Sequence, residues 1–272
     1  MTQSLPSHTS ARAACDALRS GSAPVSRKDA DAIIPLLGDP RSEIRDDLAS
    51  PSLARSILDG RLDAELPWLE AELCGPRGLE AKEDSTASIA VLARSFAALI
   101  IAVVLNRSRA LGGALDDRVT ALDAIETRLR DEDDLRSWQP EYGWIHIVAH
   151  LADATDELFE FEMDAPRATG LAAGLVGLVL RRADALFSFG EYDRVAFALA
   201  TALRRGRIGR DAMADLLALP GAAEHEFTSI PASVVRANHL RALSRAIHFK
   251  LVAEEAGSEL IDWSRSLCLP LT

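Results

Sequence analysis

Apolar residues in this chain recur at steps of three and four, and nowhere at sustained steps of two. Ile89, Leu92, Phe96, Leu99 and Val103 keep that spacing within a long helix read over 85–111, with Ser85 as a cap, because such steps fall on one helical face. No stretch alternates apolar and polar residues between turn signals, so the pattern predicts an all-α fold with essentially no β-sheet. Glycine and proline punctuate the periodic stretches. Gly38-Asp39-Pro40 reads as a stop followed by a start, with glycine at a helix C-terminus, aspartate as N-cap and proline in the first turn. Gly112-Gly113 closes the long helix, and further helices are read at 116–130, 144–161, from Pro166 onward, and at about 190–205, 209–219, 231–256 and 258–267. The breakers between the last of these are Gly190, Gly206, Pro220-Gly221, Pro231 and Gly257.

Helix pairs recur at roughly 40–50 residues, the period of HEAT or armadillo arrays, and the Gly38–Asp46 element has a HEAT-like look. An array of this kind buries its apolar faces layer on layer, so 272 residues need not share one compact core. The expectation is an α-α superhelix of antiparallel helix pairs forming a single domain over 27–272. A loosely ordered segment, 1–26, rich in Ser, Ala and Thr and carrying a short helix at most, precedes it. Hydrophobic residues are 48% of the chain and aromatics only 5%, so the core is expected to be mostly Leu, Ala, Val and Ile, which suit helices.

Charge narrows the partners. With 41 acidic against 30 basic residues and a net charge of −11, the chain lacks the basic surface that nucleic acid or an anionic membrane requires. The longest apolar run, Phe96–Leu105, is too short for a bilayer span, and no secretory signal opens the sequence. Cys15, Cys74 and Cys268 are odd in number and form no CxxC pair, which fits reduced thiols in a cytoplasmic protein.

The most distinctive segment is GWIHIVAHLADATDELFEF, residues 143–161. On a helix, His146, His150, Asp153 and Glu157 share a stripe roughly 60° wide that borders the apolar face of Ile147, Leu151, Ala154 and Leu158. Three readings stay open. His146 and His150, one turn apart, could share a divalent metal ion with Asp153 as a third ligand. The same three residues could perform acid–base chemistry or bind a ligand without metal. The stripe could also be structural, satisfying backbone groups and arginines between layers. Asp193 and Arg194 could reach the same groove from the helix start at Gly190, or simply cap it and pair at the surface. Arg94, inside an apolar helix, needs a carboxylate, a carbonyl or that groove. No G-x-S-x-G elbow, P-loop, G-x-G-x-x-G or H-E-x-x-H is present.

Several of these pieces together resemble a bacterial family of uncharacterised helical proteins, domain-of-unknown-function family 2785. They are GDPRSEIRDDLA (38–49), RSFAALIIAVVL (94–105), EDDLRSW (132–138), GWIHIVAHLADATDEL (143–158), GEYDRVAFAL (190–199) and NHLRALSRAIHFKL (238–251). The resemblance implies an all-helical, HEAT-like fold and draws attention to Arg94, Arg136, Trp144, His146, His150, Asp153, Asp193 and Arg194. Just before Arg94 the chain departs from the family's pattern, with SIAVLA in place of a more polar stretch carrying an acid. The resulting expectation is a helical-repeat protein whose His/Asp/Arg groove binds a small molecule or peptide and could act on it catalytically. The alternative is an interaction scaffold for a protein partner, with no catalytic activity.

Overall fold

A computed structural model describes residues 7–19, 24–82, 89–182, 184–218 and 232–268. Ser85, Ser88, Pro220-Gly221 and Pro231, used in reading the sequence, lie outside these residues. The first helix among the described residues is α1 (His8–Arg19), in the segment where the sequence allows a short helix, and it buries Ala11, Cys15 and Leu18. Next come α2 (Arg27–Ile33), a 3-10 turn (Ile34–Gly38), the short α3 (Ser42–Ile44), a π-helical turn (Arg45–Ala49) and α4 (Ser50–Leu58). The remaining helices are α5 (Leu66–Cys74), α6 (Ala90–Ala110), α7 (Val119–Asp131), α8 (Ile147–Phe159), α9 (Ala165–Arg181), α10 (Glu191–Arg204), α11 (Arg210–Leu217), α12 (Ala232–Ala253) and α13 (Ser258–Leu267).

Alternate helices pack side by side. In one layer α4 meets α6, α6 meets α8, α8 meets α10 and α10 meets α12; in the other α5 meets α7, α7 meets α9 and α9 meets α11. A continuous core of leucine, isoleucine, valine and alanine runs between the layers from α1 to α12. The 21-residue α6 is long and apolar enough to cross a membrane by length and composition, with a mean hydropathy of 1.8, but 67% of that window is buried inside the fold. Its neighbours are α4, α5, α8 and the 3-10 turn. Of the glycines on α9, only Gly174 marks a close approach, since a Cβ there would lie 3.0 Å from Leu129; Gly170 and Gly177 face open space.

Local chemistry sets the helix starts. The Ser26 hydroxyl accepts from the Asp29 amide at the head of α2, and the Asp164 carboxylate accepts from the Arg167 amide with Pro166 in the first turn of α9. One start differs from the sequence reading. Residues 143–144 belong to a two-residue strand, β2 (Gly143–Trp144), paired antiparallel to β1 (Trp138–Gln139) with Trp138 opposite Trp144. The backbone groups that a helix would use are already taken. The amides of Ile145 and His146 donate to the Ser137 carbonyl at 2.9 and 3.2 Å, and the Trp144 carbonyl accepts from Arg45 at 3.0 Å. Helix α8 therefore begins at Ile147, and His146 is its N-cap rather than a member of its face.

Candidate functional site

The hairpin and the head of α8 are gripped from the N-terminal part of the chain. Arg45, fully buried on the π-helical turn, donates from Nη1 to the Asp39 carbonyl at 2.8 Å and from Nη2 to the Tyr142 and Trp144 carbonyls at 2.6 and 3.0 Å. Its charge is balanced by Asp46, with Nε to Oδ1 at 2.8 Å. Burial raises the Asp46 carboxyl against the pull of Arg45. Gly143 has φ 71° and a Cβ there would lie 3.0 Å from the Ser42 side chain, so a glycine lets the loop turn and pass close to α3.

His146 sits at the end of this loop in the left-handed region, with φ 52°. A non-glycine residue held there carries strain of about 1–3 kcal/mol, and such strain concentrates at functional sites. The Trp144 ring stacks flat on the imidazole, centroids 4.5 Å apart and planes 7° apart, and Phe189 meets Trp144 edge-on at 5.3 Å. The His146 Nδ1 lies 3.8 Å from Oε1 of Glu191. Both atoms are buried, and neither they nor the Ser137 hydroxyl has a hydrogen-bond partner within normal distance among the described residues. Glu191 is 1% exposed at the head of α10. Burial acts to raise its carboxyl, but the His146 ring, Ser137 and the amides of Glu191 and Phe189 outweigh that and hold it down at about 2. The Phe189 amide donates to its Oε2 at 2.9 Å.

His150, one turn into α8, is the second ring. Its Nδ1 lies 2.8 Å from the Ser95 hydroxyl, and that hydroxyl donates to the Ile145 carbonyl. With the hydroxyl proton committed, Nδ1 must be the donor to Ser95, and Nε2 of neutral His150 carries the lone pair. Desolvation, then the nearby His146 and Arg194, push its pKa down to about 3. The His146 and His150 rings are 5.9 Å apart. Asp153 accepts from Arg194 Nη1 at 2.9 Å, joining α8 to α10, while burial raises the Asp153 carboxyl.

The structure thus gathers Trp144, His146, His150, Asp153 and Arg194. The other expected residues are engaged elsewhere. Arg94 is buried and grips Glu132 through Nε and Nη2 at 2.7 and 2.8 Å. Glu157 accepts from Asn106 at 2.9 Å and Arg109 at 3.1 Å of α6. Arg136 pairs with Asp134, beside rather than within the histidine cluster, and Asp193 is exposed with no hydrogen bond or ion pair among the described residues. No group of three His, Cys, Asp or Glu side chains among the described residues is arranged to hold a metal ion.

Glu191, Arg45, Ser95, Ser137 and Phe189 belong to the site, and the sequence reading did not single them out for it. Glu191 had a weak signal, an acid in the first turn of α10 just after a glycine; the others had none.

A second polar network fixes the segment that carries Phe189. His239, fully buried on α12, donates from Nε2 to the Arg182 carbonyl at 2.6 Å. Its Nδ1 therefore accepts from the Tyr192 hydroxyl at 2.7 Å, which itself accepts from the Phe187 amide at 3.3 Å.

A family model described as Protein of unknown function (DUF2785) matches residues 81–249. No curated protein and no solved structure matches the chain.

Proposed function

The chain belongs to the DUF2785 family, and from its site we propose that it binds a small polar ligand against the Trp144–His146 loop and that His146 moves a proton there. The observation that carries this reading is the buried, anionic Glu191 facing Nδ1 of a conformationally strained His146. A carboxylate on Nδ1 favours the Nδ1–H tautomer and leaves Nε2 as the base, the orienting role carboxylates play toward histidines. Catalytic hydrogen bonds are often long before ligand binds, so the 3.8 Å separation is one that closure can shorten. Neutral His150 adds an acceptor beside it, and Arg194 a positive charge.

The alternating packing of helices supports reading the two layers as a HEAT-like array that presents this loop, and three free cysteines suit a cytoplasmic protein. A second reading, a scaffold that docks a protein partner, draws support from Val234, Phe249 and Val252, exposed on α12.

The test is a small-fragment screen followed by histidine side-chain NMR on wild type, His146→Ala and Glu191→Gln. Wild type is expected to show His146 protonated on Nδ1 and fragments that perturb His146 and Trp144. Those responses should vanish in His146→Ala, and Glu191→Gln should shift the tautomer balance. Fragments that perturb only α12 would overturn the site reading in favour of the scaffold.

A further inference from the structure

Helix α12 carries four cations, Arg236, Arg241, Arg245 and Lys250, and no aspartate or glutamate, in a chain whose net charge is −11. Helices α6 and α9 are acid-free too, but there neighbouring segments supply carboxylates. Glu132, Asp63 and Glu157 receive Arg94, Arg107 and Arg109 of α6, and Glu126 receives Arg167 of α9. On α12, among the described residues, only Lys250 is met in this way, by Glu254. Arg236 donates to the Leu180 carbonyl at 3.4 Å. Arg241 donates to the neutral Asn238 side chain at 3.2 Å, and Arg245 makes no hydrogen bond or ion pair among the described residues. Arg241 and Arg245 are both exposed. They sit in a stripe of Val234, Asn238, Arg241, Arg245, Phe249 and Val252, whose steps of three and four keep it within about 80° of one helix face. Phe249 is 70% exposed, Val234 41% and Val252 45%. The rest of α12 packs on α10, and Ser244 and His248 hold α13. In the layer formed by α4, α6, α8, α10 and α12, no further helix among the described residues lies beyond α12.

We propose that this stripe docks an acidic amphipathic helix of a partner protein. The partner helix lies along α12, with carboxylates one turn apart on Arg241 and Arg245 and apolar side chains on Val234, Phe249 and Val252. The proposal gives a partner class to the scaffold reading of α12, on which it rests, and is independent of a ligand at His146. It continues the pattern inside the molecule, where arginines on acid-free helices meet carboxylates from the next segment. The stripe runs about 27 Å from Val234 to Val252, so five turns of helix cover it. The apolar ends supply area to bury, and the arginines between them select the charge and register of what lies there. A second copy of the chain fits poorly, because a two-fold antiparallel pairing of α12 with α12 sets each Arg241 against an Arg245 of the other copy. An anionic membrane attracts the stripe but repels a chain of net charge −11.

Fluorescence anisotropy of a labelled synthetic peptide of about 20 residues, long enough to hold a helix, measures the docking. One face of the peptide carries leucines in its first and last turns and glutamates four residues apart between them. Two control peptides replace the glutamates by lysine or the leucines by serine. The glutamate peptide is expected to bind wild type and to weaken as ionic strength rises. The serine peptide should bind wild type about tenfold more weakly or worse, and so should the glutamate peptide on Phe249→Ser. Arg241→Glu combined with Arg245→Glu should lose the glutamate peptide and gain the lysine peptide. The comparison of the peptides in wild type needs no variant, so it decides the matter if a variant fails to fold. Absence of binding by the glutamate peptide, equal binding of the lysine peptide to wild type, or indifference to Phe249→Ser overturns the proposal. So does displacement of the peptide by phosphatidylserine vesicles, which assigns the face to a membrane. Self-association of wild type that Phe249→Ser abolishes in sedimentation overturns it as well and assigns the face to a second copy. The His146 and Trp144 signals, read on the same samples, report the ligand site separately, and failure of the peptide leaves that site standing.

Discussion

Burial strips water from the His150 ring, and the neighbouring His146 and Arg194 oppose a further positive charge, so the ring stays neutral down to about pH 3. In the unfolded chain the same histidine takes a proton near its ordinary 6.5. Between those values the unfolded state binds more protons than the folded one, so stability falls as pH falls from 6.5 towards 3. Glu191 acts in the same direction lower down: its stabilisation is complete above the ordinary carboxylate value and is lost as pH drops towards about 2. Asp46 and Asp153, whose carboxyls are raised, have the opposite sign and gain stability on acidification. His150→Asn keeps an N–H for the Ser95 hydroxyl but cannot titrate. Urea unfolding of this variant from pH 7 to pH 4 should show a shallower loss of stability than wild type. An unchanged slope would mean that His150 is not held neutral.

The loop over 137–146 depends on one side chain from another element. Arg45 reaches carbonyls 97 and 99 residues away in sequence, and its own burial is tolerable only because those carbonyls, Asp39 and Asp46 surround it. Arg45→Met would free three carbonyls and leave Asp46 without its cation, costing about 3–5 kcal/mol. Heat unfolding should report that loss. The fluorescence of Trp144, released from its stack on His146, should move before the global transition. Coincident transitions would show that the loop has no independence from the rest of the fold. The same contacts explain what was legible in the sequence. Helix starts near Pro166, Gly190, residue 209 and Gly257 are written locally, and the structure matches them within a residue or two. The head of α8 is decided by Arg45, Ser137 and Ser95, all distant or unremarkable in sequence, so helical periodicity ran on through Trp144 and His146. The pairing of His146 with Glu191 is likewise a product of α8 packing on α10, and spacing along one helix could not foretell it.

At the scale of the whole molecule, the two layers are tied by charge as well as by leucine. Arg94, on α6 in one layer, is clamped by Glu132 just past the end of α7 in the other, and Glu132 also receives Arg128 and the Asp134 amide. Ser95, the next residue along α6, points elsewhere, to His150 and the Ile145 carbonyl. A turn of about 100° per residue separates the two directions, so adjacent positions of one helix serve different ends: Arg94 holds the layers and Ser95 addresses the site. This division makes a prediction that separates a structural Arg94 from a ligand-binding one. Arg94→Met leaves a buried carboxylate with only its lesser partners and should lower stability by about 3 kcal/mol. Adding Glu132→Gln removes that stranded charge while keeping an acceptor for the Asp134 amide, and should recover part of the loss. In folded protein of either variant, the His150 ring signals and fragment binding at His146 should match wild type. Stability falling while the site stays intact is the outcome expected of a clamp between layers. Loss of fragment binding with folding preserved would return Arg94 to the site.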